Sequence, residues 1–130
     1  MIAVDTNVVV RLLVNDDRQQ GAVARSLFES EEVWVGVTVL LEAAWVLESI
    51  YGLGAKDVVK ALRGVLGLPN VRTENATAVA AALGAAGPGL ELADALHLAR
   101  SPETAEFATF DRGLARAGRR LRSVRLLRES

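Results

Sequence analysis

Four of the sixteen acidic residues stand in apolar company. Asp5 lies in "IAVDTNVVV", Glu42 in "VLLEAAWVL", Asp94 in "LELADALHLA", and Asp111 closes "FATFD". Most of the other acids occupy polar stretches such as "NDD" and "ESEE". A carboxylate beside a core is costly unless its charge is compensated. Brought together, such groups also repel one another. At ~5 Å and an effective dielectric of ~20, each pair costs roughly 3 kcal/mol. A hard divalent cation is the usual remedy, and an oxygen-only donor set suits Mg2+ or Mn2+. The matching chemistry is phosphodiester hydrolysis, in which the ion polarises a phosphoryl oxygen and acidifies a bound water.

The neighbours suit that role. Thr6 and Asn7 follow Asp5 where a helix is expected to begin, so they can cap it and orient the carboxylate. Amide groups at such a helix start favour a phosphate. On a strand, Thr109 shares a face with Asp111, because side chains two apart point the same way, and its hydroxyl can support that acid.

Composition removes the competing chemistries. There is no cysteine, so disulfides, thiolate zinc sites and a Cys nucleophile are excluded. One histidine, His97, cannot make a His-rich metal centre, and it reads best as a packing residue. A 130-residue chain that is 51% apolar predicts one folded domain over residues 1–130. No apolar run reaches the ~20 residues that span a bilayer, and no basic leader precedes Asp5, so the expected location is the cytoplasm without membrane attachment. The net charge of −1 is uneven: seven arginines crowd residues 112–130 against the single Glu129. That segment is either a phosphate-facing surface or a solvated face.

The elements that must position the acids alternate. Ile2–Asp5 reads as a short buried strand, followed by a helix to about Val14. Asp16 or Asp17 caps a second helix to about Phe28, with Ala22, Val23, Leu27 and Phe28 on one side. Val33–Val37 reads as a strand, and Thr38 caps a long helix to about Tyr51 that holds Glu42 in its first turn. Further helices are expected at Ala55–Leu66, after Asn75, at Leu90–Arg100 and at Gly113–Ala117. Further strands are expected at Val71–Thr73, Glu106–Phe110 and Ser123–Leu127. Such alternation predicts an α/β domain with a mainly parallel sheet. Ligands of open α/β sheets bind beyond the carboxyl ends of the strands, where Asp5 and Asp111 fall and which Glu42 and Asp94 can reach.

With "VDTNVVV", "TVLLEAAWVL", "LADALHLA" and "TFD" in order over nearly the whole chain, the sequence resembles the PIN-domain ribonucleases, above all the toxins of VapBC toxin–antitoxin pairs. The resemblance implies a three-layer α/β/α sandwich, Mg2+ or Mn2+ dependence, cleavage of single-stranded RNA, dimerisation and inhibition by a cognate antitoxin. It places Asp5, Glu42, Asp94 and Asp111 at the family's acidic positions, and Thr6, Asn7 and Thr109 at its supporting polar ones. His97 falls where such sequences often carry an aliphatic residue, and no family role passes to it.

Each acid also has a plainer reading. Asp5 and Asp111 can be helix caps, Glu42 a helix-dipole partner, and Asp94 a surface acid paired with Arg100. Two other function classes compete. An aspartate-based phosphotransfer domain needs a phosphate-holding lysine, yet Lys56 and Lys60 both lie in a helix. A non-catalytic binding scaffold need not keep all four acids, and all four are present. Trp45, on a helix apolar nearly all round, suggests a homodimer contact.

Overall fold

The computed structural model describes residues 1–129. Ser130, the end of the expected domain and of the arginine-rich segment, lies outside the described residues. The chain forms two compact units, Met1–Glu74 and Asn75–Ser130.

The first unit runs β1 (Ile2–Ala3), α1 (Thr6–Leu13), α2 (Arg18–Ser30), β2 (Val33–Trp34), α3 (Val37–Ser49), α4 (Ala55–Leu66) and β3 (Val71–Arg72). The three strands form one parallel sheet in the order β1-β2-β3, with Ile2 opposite Val33 and Val33 opposite Val71. Parallel strands need crossovers, and the helices between them supply these. β2 is the central strand, and Val33 and the following Val35 are fully buried. Around them α1 packs on α2 and α3, and α3 on α4. Val9, Val10, Phe28, Leu40, Leu47 and Leu62 are all buried.

The second unit runs α5 (Ala76–Ala85), α6 (Leu92–Arg100), β4 (Phe107–Thr109), α7 (Arg112–Gly118) and β5 (Val124–Leu126). β4 and β5 pair in parallel, with Thr109 opposite Leu126. α5 packs on α6, and α7 on α6, β4 and β5. Gly118 marks a close approach: a Cβ there would lie 2.6 Å from Leu98 Cδ1, so any larger residue would require the buried Leu98 side chain to shift. The α/β class and the parallel strand pairing are as expected.

Several local readings are corrected. Asp5, not Thr6 or Asn7, is the residue that caps α1. β2 ends at Trp34, although the Val35 N–H still donates to the Arg72 carbonyl at 2.9 Å; Gly36 then becomes the cap of α3 and Val37 its first residue. Thr38 is therefore inside the helix, and Glu42 falls in its second turn. On α2 the buried positions are Gly21, Ala24 and Phe28, which share one face at helical spacing. Ala22 and Val23 turn outward, with Val23 71% exposed. Ile2 is exposed too, on a strand at the edge of its sheet. Leu90 precedes α6, held in a Gly87–Leu90 bridge. Among the described residues, no helix is long and apolar enough to cross a membrane.

Candidate functional site

Asp5 sits directly after β1 with extended backbone, and its Oδ1 accepts the Val8 N–H at 3.2 Å. The carboxylate thus satisfies one of the orphan amides that every helix start presents. It lies exposed at the helix mouth rather than inside the core. Thr6, the first residue of α1, donates its hydroxyl to Glu42 Oε1 on α3. Asp5, Thr6, Asn7 and Glu42, with Val10 and Val46, line one cleft of about 300 Å3. Two of the four expected acids and two of the three supporting residues therefore meet within the first unit.

The apolar run around Glu42 has a helical explanation. Leu40, Ala43, Ala44 and Leu47 bury one side of α3, while Glu42 and Trp45 lie on the exposed side. No charged side chain is buried among the described residues, so each of the four acids keeps access to water.

In the second unit Asp111 caps α7, its Oδ1 accepting the Leu114 N–H at 3.0 Å. Its own N–H donates to Thr109 Oγ1, also at 3.0 Å. Thr109 thereby fixes the backbone that carries Asp111 and does not touch the carboxylate. Asp94 lies half-buried in the first turn of α6, where no side chain caps the helix and a negative charge complements its dipole. His97 is exposed on the same helix, so the packing role expected of it is corrected. The helix-cap readings of Asp5 and Asp111 are thus both correct, and they leave the second carboxylate function of each open.

The donor chemistry of these acids fits a hard divalent cation: all are exposed or half-buried oxygen donors, without a competing sulfur. Among the described residues, no group of three or more His, Cys, Asp or Glu side chains is placed to hold a metal ion.

Sequence reasoning missed two polar features of the first unit. Glu74 accepts the Val37 N–H at 3.1 Å, so a residue beyond β3 caps the helix bearing Glu42. The signal was the absence of any capping side chain at Gly36. Arg11, Asp16 and Tyr51 form a closed ring. Arg11 Nη1 donates to Asp16 Oδ1 at 2.7 Å and to the Tyr51 hydroxyl at 3.1 Å, and that hydroxyl donates to Asp16 Oδ2 at 2.6 Å. Tyr51's donation, and then the Arg11 charge, hold the Asp16 carboxyl below its ordinary range.

The arginine-rich segment is partly committed to the fold. Arg122 donates to the carbonyls of Leu98, at 2.7 Å, and Pro102, and Arg120 to that of Ala85 at 3.1 Å. Arg125 pairs with Glu106.

No curated protein matches the chain. The family model for the PIN domain matches residues 2–120, a span that includes Asp5, Glu42, Asp94 and Asp111 and runs through both units. PIN domains are nucleases, generally metal-dependent, and the order of helices and parallel strands is consistent with their three-layer α/β/α fold. The chain belongs to the PIN-domain family.

Proposed function

We propose that this protein is a Mg2+-dependent endoribonuclease, with Mn2+ as the alternative ion, that cuts single-stranded RNA as the toxin of a VapC-type toxin–antitoxin pair. The observation that carries the reading is the cleft in which Asp5, Thr6, Asn7 and Glu42 meet, in a chain that belongs to a nuclease family. Asp5, Glu42, Asp94 and Asp111 are the residues proposed to hold the ion. Bound there, the ion supplies polarisation of the scissile phosphoryl group and an acidified water as nucleophile.

The rest is the work of this chain's side chains. Thr6 holds Glu42 by its hydroxyl. Thr109 sets the backbone of Asp111. Asn7 and the first amides of α1 receive the substrate phosphate at the positive end of the helix. Single-stranded RNA suits an open cleft, because unstacked strands expose backbone and bases. An acidic cleft also suits inhibition by a basic side chain of an antitoxin. The exposed Trp45 face of α3 is proposed as a homodimer contact, and the cytoplasm as the place of action.

The test is cleavage of single-stranded RNA by the purified chain. Cutting in Mg2+ or Mn2+, loss in chelator and loss in Asp5→Asn are expected. Cleavage that survives exhaustive chelation overturns the metal-dependent reading.

A further inference from the structure

The Arg11–Asp16–Tyr51 ring joins three stretches of chain: the last turn of α1, the α1–α2 connection and the residue just past α3. Arg11 Nε adds a fourth by donating to Gln20 Oε1, at the start of α2, at 2.8 Å. The Tyr51 hydroxyl is the hinge of the arrangement, since it accepts from Arg11 and donates to Asp16. Arg11 and Asp16 can pair without it, but α3 is then no longer tied to them.

At the opposite end of α1, Thr6 donates to Glu42 of α3. α1 is thus joined by polar contacts at two levels, to α3 itself at Glu42 and to the turn that follows α3 at Tyr51. On α1 the levels are five residues apart, a rise of about 7.5 Å at 1.5 Å per residue. α1 packs on α3, and Val10 of α1 and Leu40 and Leu47 of α3 are buried apolar groups. Apolar attraction is non-directional and does not by itself fix the rotation of one helix about its axis. A single polar contact leaves a pivot. Two contacts at different heights remove it.

The geometry points to Arg11, Asp16 and Tyr51 as positioning residues that hold α1 in the rotation at which Thr6 meets Glu42. The inference rests on the reading of Thr6 and Glu42 as parts of the nuclease site. The ring itself touches neither the cleft nor any proposed metal ligand. Its outward charges would contribute little as an isolated surface ion pair, so its value lies in tying the helix ends together.

The experiment uses the full chain and two mild variants, Tyr51→Phe and Arg11→Lys. Three-bond couplings at Thr6, recorded without metal, report its side-chain rotamer. A single rotamer in wild type and averaging in both variants are expected. In Mg2+, Tyr51→Phe is expected to lower kcat for RNA cleavage about 10-fold, the scale of losses when a supporting partner of a metal site is removed. Its KM should change less than about 2-fold, and the same substitution should cost nothing further in a Thr6→Val background, because both act through one contact. A single Thr6 rotamer in both variants, or an equal loss of kcat with and without Thr6, overturns the inference. A wild type that cuts no RNA overturns the nuclease reading instead, and the Thr6 couplings alone then decide the positioning role.

Discussion

Thr6 donates its hydroxyl to Glu42 Oε1 across 36 positions of sequence, joining the first turn of α1 to the second turn of α3. The contact keeps an exposed carboxylate in one place at the cleft. Replacing Thr6 by Val keeps the branched shape and removes the donor. RNA cleavage should fall about 10- to 100-fold, as for other supporting partners of metal sites. Stability should change by less than about 1 kcal/mol, since the bond is a single exposed one. Paired measurements of cleavage rate and thermal midpoint check this. A variant with wild-type turnover would place the contact outside the mechanism.

Asp5 carries two duties that substitutions can separate. Its Oδ1 caps α1 through the Val8 N–H, and its charge is proposed to serve the metal site. Asp5→Asn retains an oxygen for the cap and removes the charge, so it should fold with near wild-type stability and lose cleavage. Asp5→Ala loses both, and should cost about 1 kcal/mol more, the usual value of a cap. If the two variants unfold at the same denaturant concentration, the cap does not contribute.

The same double duty explains what could be read in advance. Caps written beside their helices were legible: Asp17 for α2 and Asn75 for α5 both accept the expected amides. The bounds of α4 also follow from its flanking glycines. The start of α3 was not legible, because its cap comes from Glu74, far along the chain. Val33–Val37 has the β-branched look of a strand, yet that distant carboxylate and Gly36 turn Val37 into helix. The inward face of α2 was misread because Val23 is more apolar than Gly21, although it is Gly21 that is buried, beside the Arg11 carbonyl. The four acids were found by their apolar surroundings, which mark the buried sides of the elements and not burial of the acids themselves.

Asp16 should give the fold a pH dependence whose sign follows from its two partners. The Tyr51 hydroxyl and the Arg11 charge stabilise its ionised form and lower its pKa in the folded chain. The unfolded chain therefore binds the proton more readily. The resulting stability is fully present above the ordinary carboxylate range and is lost as pH falls through the lowered Asp16 value. Wild type should thus lose stability more steeply than Asp16→Asn over that acid window. Urea midpoints followed from neutral pH downward test it, and equal acid slopes for the two proteins would remove Asp16 as the source.

Asn70 should matter beyond its place in a turn. Its side-chain amide donates to the carbonyls of Phe28 and Glu31, latching the entry to β3 onto the end of α2. Asn70→Ala leaves these helix-end carbonyls without their partner and should cost about 1–3 kcal/mol. Asn70→Asp retains the size but replaces the donor with a charge that repels the same carbonyls, so it should be no better than Ala. A chemical-denaturation series settles the order.

The arginine-rich segment should divide by function. Arg122 is half-buried and spends two donors on the Leu98 and Pro102 carbonyls, so it ties the end of α6 to the approach of β5. Arg122→Ala should destabilise the protein by about 1.5–3 kcal/mol, the range for a hydrogen bond that involves a charged group. Arg116 and Arg119 are exposed on or beside α7, the helix that Asp111 caps. Their replacement by alanine should move stability by no more than about 0.5 kcal/mol. If this surface meets RNA phosphates, each of these two substitutions should weaken binding uniformly across sequences and make its salt dependence shallower by about 0.7 in the log–log slope for a single strand. Binding titrations at several salt concentrations, beside denaturation curves, separate the two classes. Salt slopes unchanged in both Arg116→Ala and Arg119→Ala would make this end of the chain a solvated face and nothing more.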